Sequence, residues 1–320
     1  MFIGVDHGTT AIRFATEEGR CWSMTRQDAS RLSTEEMVKA ISHSMDVDRV
    51  DLLALSYSMG DGLTKIVRLQ DAPNRGLISQ DGAGLHVGGG TRVFEAILAS
   101  GWPAILLPGI HRGSDIDPRL RVFSHGMSPE KVGLAYGVFK GKSSSFIVCD
   151  ASSNTVTFAV LEGRIVGAID APIFAPGLTQ GPLDVQAIRD VDSKLITANS
   201  AFTRGGILPK WGRSSLEECS LEEREMALES LALFAAMEVA ALLVLCRDRG
   251  SEKPDIFLAG SPAARIEPLV SALLGRRAGV LDRCAAAQGC ALIAKDVYGG
   301  AEEIIGIGVE NERDIRKRDM

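Results

Sequence analysis

The sequence predicts an α/β protein of two duplicated domains, and three observations carry that prediction. The chain has 320 residues, enough for two separate cores. Apolar runs of strand length alternate with capped helical stretches along it. Most telling is an internal repeat, in which FIGVDHGTTAIRFATEEGRCWSM, starting at Phe2, aligns without gaps onto FIVCDASSNTVTFAVLEGRIVGA, starting at Phe146. Identities fall at Phe2/Phe146, Ile3/Ile147, Asp6/Asp150, Phe14/Phe158, Ala15/Ala159, Glu18/Glu162, Gly19/Gly163 and Arg20/Arg164. A period near half the chain marks two domains, whereas solenoid repeats recur every 20 to about 50 residues. The expected division is 1–140 and 141–320, with the two copies facing each other across an interdomain cleft.

Each copy reads as an apolar strand ending in Asp, a tight polar turn, a second strand, a Glu-Gly-Arg hairpin and a third strand. Ser33 with Glu36 offers a cap for a helix to about Met45, and Val50–Ser56 reads as a buried strand. Gly76–Thr91 is rich in glycine and reads as a loop or flap, followed by a helix over Arg92–Ala99 and a short strand over Ala104–Leu107. Ser128-Pro129-Glu130 opens another helix, proline being tolerated in the first turn. After the second copy come a Gly/Pro loop over Pro172–Pro182 and a short helix over Leu183–Val191. Ser220 and Glu223 form a capping box for a long helix ending at Gly250. A strand over Asp255–Ala259, a helix, a strand near Gly279–Leu281 and an Ala-rich helix over Ala285–Tyr298 complete the expected second domain.

Composition narrows the function. The net charge of −6 comes without a basic stripe, which disfavours nucleic acid and anionic membrane surfaces as partners. The tail Arg313–Met320 mixes basic and acidic residues and reads as a solvated terminus. The apolar stretch Met226–Cys246 is nearly long enough to span a bilayer, but Glu229 and Glu238 interrupt it, so a buried helix is expected. Met1 leads straight into a strand rather than a signal peptide, and a cytoplasmic location is expected. No Cys-x-x-Cys pair or zinc spacing occurs, and all six cysteines are expected to be reduced.

Three segments can carry chemistry. In Asp6-His7-Gly8-Thr9-Thr10, a carboxylate at a strand end can hold hydrated Mg²⁺, while Gly8 lets backbone approach a phosphate and Thr9 and Thr10 supply hydroxyls. Asp150-Ala151-Ser152-Ser153-Asn154-Thr155 repeats that logic with Ser152, Ser153 and Thr155. Either loop alone is compatible with an ordinary turn; their occurrence in register within a duplication favours phosphate binding. Ala259-Gly260-Ser261-Pro262, between a strand and a helix, offers backbone for a nucleoside. His125 is a candidate for orienting an acyl or phosphoryl group, and Asp115 and Asp117 are equally possible bases or members of a polar turn. There is no Ser/His/Asp triad, Walker A pattern or Rossmann fingerprint.

Together the two loops and the Ala-Gly-Ser-Pro turn resemble the phosphate-1, phosphate-2 and adenosine motifs of the acetate and sugar kinase/Hsp70/actin superfamily. The resemblance implies a duplicated ribonuclease H-like, actin- or acetate-kinase-like fold whose lobes close on ATP or ADP with Mg²⁺. Gly84-Leu85-His86-Val87-Gly88-Gly89-Gly90-Thr91 resembles the glycine-rich substrate segment of butyrate and acetate kinases, and Phe123-Ser124-His125-Gly126-Met127 their Phe-His stretch. FIGVDHGTTAIRF and GLTQGPLDVQAIRDVD resemble the methanogenesis marker protein 12 group. The chain departs from the kinases at Gln80-Asp81-Gly82, where they carry an arginine, and at Ile105-Leu106-Leu107-Pro108, where they carry an acid. It departs again at Ser261-Pro262, where a second glycine and a variable residue are usual.

The resemblance assigns Asp6 and Asp150 to the metal and to catalysis, with His125 beside them. It gives Gly8, Thr9, Thr10, Ser152, Ser153 and Thr155 to the phosphates, and Gly260 and Ser261 to the adenosine. Three readings stay open: an ATP/Mg²⁺-binding accessory protein of methanogenesis with slow ATPase activity; a carboxylate kinase using Arg92, Arg112 or Arg121 as its cation; and a scaffold without turnover. A methanogenesis protein as partner and a homodimer are further expectations of the resemblance.

Overall fold

The computed structural model describes residues 1–9, 11–59, 61–76 and 88–310. The chain divides into two compact units, Met1–Ser143 with Cys284–Met320, and Ser144–Arg283.

The first unit opens with β1 (Phe2–Asp6), β2 (Ala11–Thr16) and β3 (Cys21–Thr25), an antiparallel meander turned by Gly19 at φ +95°. Helices α1 (Arg26–Arg31) and α2 (Thr34–Met45) follow, and α2 starts at the expected Ser33/Glu36 capping box. Then come β4 (Leu52–Leu55), β5 (Val67–Arg68), α3 (Gly89–Ser100) and β6 (Ala104–Leu106). The sheet order is β3-β2-β1-β4-β6-β5, with β4 parallel to β1 and β6 parallel to β4. Ile3, Val5, Phe14, Leu53, Met37, Ile41, Phe94 and Ile97 form its core. A small ribbon of β7 (Ile110–His111) and β8 (His125–Met127) leads into α4 (Pro129–Gly141).

The second unit repeats the plan. β9 (Phe146–Ala151), β10 (Thr155–Leu161) and β11 (Arg164–Ile169) form the same meander. Short helices α5 (Val185–Asp192), α6 (Ala198–Thr203) and α7 (Ile207–Lys210) precede α8 (Leu221–Asp248), β12 (Asp255–Ala259), α9 (Ala263–Leu274) and β13 (Gly279–Val280). Its order, β11-β10-β9-β12-β13, matches the first sheet strand for strand from β3 to β6, with β12 again parallel to the first strand of the meander. The duplication seen in the sequence is therefore a duplication of sheet topology.

Helix α8 begins at the expected Ser220/Glu223 box. It is long and apolar enough to cross a membrane by length and composition. Ala227, Leu231, Ala235, Val239, Leu242 and Cys246 bury one face in the second core. Glu238 lies wholly inside that core, accepting from the Thr157 hydroxyl at 2.6 Å and the Ala175 amide at 3.2 Å.

Two expectations are corrected. The chain after Arg283 does not stay in the second unit: α10 (Ala285–Gly299) returns to pack on α4 and β1. Close backbone approach makes this possible, because a Cβ at Gly289 would lie 1.8 Å from the Gly133 carbonyl oxygen and one at Gly4 2.0 Å from that of Ala287. The cysteines are not all reduced either. Cys21 on β3 and Cys284 before α10 form a disulfide, their Cα atoms 6.3 Å apart, while Cys149, Cys219, Cys246 and Cys290 are free and buried. With a sequence separation of 263, spacing gives no cue to it.

Candidate functional site

In the first unit the central strand ends in Asp6, and in the second Asp150 stands one residue before the end of the central strand; a tight turn follows in each. β1 runs parallel to β4, so Asp6 stands at the carboxyl edge of the sheet, where ligands of open α/β sheets gather. Asp6 is buried and opposite Arg13 in the β1–β2 register, and the guanidinium Nη1 meets its Oδ2 at 3.2 Å. Gly8 is required by that pair, since a Cβ there would lie 2.8 Å from Arg13 Nη1 and 2.9 Å from the Ala11 carbonyl. The loop is pinned from both sides. The His7 amide donates to Ser56 Oγ (3.1 Å), and Arg26 donates to the carbonyls of Gly8 (2.8 Å) and His7 (3.0 Å).

In the second unit, the Ser152 amide donates to the Asn154 carbonyl, which closes the turn after Asp150. The Gly/Pro loop is laid over it, with Leu178 donating to the Ser152 carbonyl and Thr179 and Gln180 to that of Ser153. Thr155 is fully buried and its hydroxyl donates to the Pro176 carbonyl at 3.2 Å, which ties it to that loop. Register places Ala259 beside Asp150, so the turn Gly260–Ser261 emerges at the same sheet edge. Gly260, at φ +101°, lies so close that a Cβ would be 2.3 Å from the Ala151 carbonyl oxygen and 3.0 Å from Asp150 Oδ1. Asp150, Ser152, Ser153, Gly260 and Ser261 are thus brought together, and α9 starts just beyond them.

Other candidates stand on other elements. His125 stands on β8 opposite His111, on a different sheet from Asp6. His111 accepts the Gly113 amide at Nδ1 and places Nε2 3.0 Å from the Leu63 carbonyl, the arrangement of the Nε2–H tautomer. Asp117 holds Arg119 through both carboxylate oxygens and caps its own turn. Arg92 and Arg121 make exposed ion pairs with Glu95 and Asp115. Thr10, Gln80-Asp81-Gly82, Gly84–Val87 and the tail from 313 lie outside the described residues.

Sequence reasoning passed over several groups around the first loop. Glu130, at the start of α4, lies close enough to Cys290 to act with Asp6 in raising its thiol's pKa, although burial is the main cause. His7 is buried and stacks on Tyr57, ring centroids 4.3 Å apart, and Arg75 covers the same ring at 4.5 Å. Burial first, then the Arg26 and Arg75 charges, hold the His7 imidazole well below its ordinary pKa, so it is neutral at pH 7. Among the described residues, no cluster of three or more metal-ligating side chains occurs. A magnesium ion keeps most of its waters and needs only one or two carboxylates. Taken unit by unit, a carboxylate near the sheet edge beside a backbone-lined turn, Asp6 in the first and Asp150 in the second, is chemically suited to such an ion.

The fold is shared with solved kinases. Acetate kinase from Porphyromonas gingivalis superposes with a TM-score of 0.54 at 10% identity, over 89% of each chain. A ROK family glucokinase from Streptomyces griseus, in complex with glucose and AMPPNP, superposes with a TM-score of 0.50 at 14% identity, over 92% of this chain and 99% of the kinase. At such identities the likeness is one of fold: duplicated, ribonuclease H-like and two-domain. No family model matches the sequence. Full-length relatives do. UPF0285 proteins of Methanosarcina barkeri and Methanocaldococcus jannaschii are 45% and 37% identical, each over 96% of this chain and 98% of the relative. One of Methanococcus maripaludis is 35% identical over 97% and 99%. Identity at that level along the whole length of methanogen proteins settles the kinship: the chain belongs to the UPF0285 family.

Proposed function

We propose that the chain binds Mg·ATP and Mg·ADP, and that it serves methanogenesis as a nucleotide-dependent accessory protein with slow ATPase activity. The observation that carries this reading is the pair of sheets of one topology, each with an aspartate at or one residue before the end of its central strand and a tight turn beyond it. Support for the setting comes from the relatives, all UPF0285 proteins of methanogens, which also fits the marker protein 12 resemblance.

In this reading Asp6 and Asp150 hold Mg²⁺ through water. Gly8, Thr9, Thr10, Ser152 and Ser153 receive the phosphates, with Thr155 fixing the loop behind them, and Gly260 and Ser261 flank the adenosine. The ion supplies neutralisation of phosphate charge. Arg13 holds Asp6 in place through its guanidinium, and Glu130 is a further carboxylate near that site. His125 would orient an acceptor. The chain would be cytoplasmic, with a methanogenesis protein as partner and a homodimer as its assembly. The carboxylate-kinase alternative gains from Arg75, a cation set against Tyr57 and the His7 ring beside the first loop.

Calorimetric titration with Mg·ATP and Mg·ADP tests the reading, repeated on Asp6→Ala and Asp150→Ala with folding checked by circular dichroism. Saturable binding lost in both variants supports it. Absence of binding to the folded wild type leaves the scaffold reading.

A further inference from the structure

Helix α3 starts with three glycines and has no side-chain cap. Glycine is needed here for contact, since a Cβ at Gly89 would lie 2.1 Å from the Arg26 carbonyl oxygen and one at Gly90 2.8 Å from the Tyr57 ring. The helix N-terminus is therefore pressed onto Arg26 and Tyr57, and the Tyr57 hydroxyl lies 3.0 Å from Thr91 Oγ1. His7 and Arg75 meet the same tyrosine ring. His7 is 6% exposed, yet among the described residues neither ring nitrogen makes a well-aligned hydrogen bond, although the Gly90 backbone lies near enough to favour its proton. Burying an imidazole N–H in this way costs free energy unless something accepts from it. Two guanidinium groups and the positive end of a 12-residue helix surround the ring, so the missing acceptor is one that a positive field favours.

We propose that the corner formed by His7, Arg75, Tyr57 and the N-terminus of α3 binds the anionic head, carboxylate or phosphate, of a small molecule. The His7 ring donates one hydrogen bond to an anion oxygen. Arg75, held flat by Tyr57, supplies charge, and the first amides of α3 complete the cradle. Arg26 is committed to the Gly8 and His7 carbonyls and acts by shaping the loop. The site needs the first unit alone and stands whether or not nucleotide binds near Asp150. It lies on the same loop as Asp6, so its ligand is the one that would meet a transferred or hydrolysed phosphate.

The test is titration of the full chain with sodium phosphate and, separately, sodium acetate, at constant ionic strength and without nucleotide. Wild type should bind at least one of the two saturably, and the preferred one tells phosphate from carboxylate. Arg75→Gln and His7→Phe should each weaken it by roughly tenfold or more, the worth of a charge-assisted hydrogen bond. His7→Phe keeps the stack on Tyr57; if it does not fold, Arg75→Gln, on an intermediate-exposure loop residue, decides alone. Binding of neither anion by the wild type, or unchanged affinity in folded Arg75→Gln, overturns the proposal. A failed Mg·ATP titration leaves it untouched.

Discussion

Glu238 offers the sharpest physical test of the second unit. Burial in the α8 core pushes its carboxyl up to about 8 from an ordinary 4.5, against the opposing pull of the Thr157 and Ala175 hydrogen bonds. Between those values the folded chain carries the proton and the unfolded chain does not. Unfolding then releases a proton, so raising the pH from about 4.5 to 8 progressively favours the unfolded state. A pKa unit is worth about 1.4 kcal/mol, which makes the full penalty at pH 8 about 4–5 kcal/mol. Glu238→Gln removes it while keeping the contacts, because the amide oxygen can accept from Ala175 and its NH₂ can donate to the Thr157 hydroxyl. Urea unfolding at pH 5.0, 6.5 and 8.0 should show the wild type losing stability across the series. The variant should show a much flatter profile and be the more stable protein at pH 8. Parallel profiles for the two proteins would refute the reasoning and mean that Glu238 is ionised in the fold.

Other consequences are checked more quickly. Gly289→Ala places a methyl against the Gly133 carbonyl, so despite the ~1 kcal/mol that alanine gains in a helix it should lower the thermal midpoint, read by circular dichroism. Gly260→Ala combines a positive φ with a clash on Ala151 and should destabilise the second unit by about 1–3 kcal/mol, alongside weaker Mg·ATP binding by calorimetry. Leu231→Ala, in the buried face of α8, should cost about 2–5 kcal/mol in denaturant unfolding. Thiol titration of unfolded protein should count four reactive cysteines without reductant and six with it, following the Cys21–Cys284 bond.

Much of this was legible in the sequence because strand periodicity and capping are local signals. The Phe2 and Phe146 repeat announced two meanders of one order, and the Ser33 and Ser220 boxes marked helix starts that the structure keeps. What escaped depends on approach between distant segments. Gly4 and Gly133 read as unremarkable positions, yet they are the contact surface for α10. Tyr57 and Arg75 lie in stretches with no periodicity, and only the fold sets them against His7. His7 itself read as one more loop residue, since nothing in its neighbours reveals that both ring nitrogens are buried. The start of α3 was hidden for a related reason: three glycines argue for a loop by propensity, and tertiary contact overrides it.

The return of α10 has a consequence for how the molecule is made. The second unit is one uninterrupted stretch, Ser144–Arg283, whereas the first is finished only by residues that follow it. On a ribosome synthesising from the amino terminus, the later-encoded unit emerges whole while the earlier one still lacks its closing helix. Until then the glycine faces of β1 and α4 stand uncovered. Removing the chain beyond Arg283 would therefore damage the half of the protein that is translated first, and leave the half nearer the cut with its sheet complete.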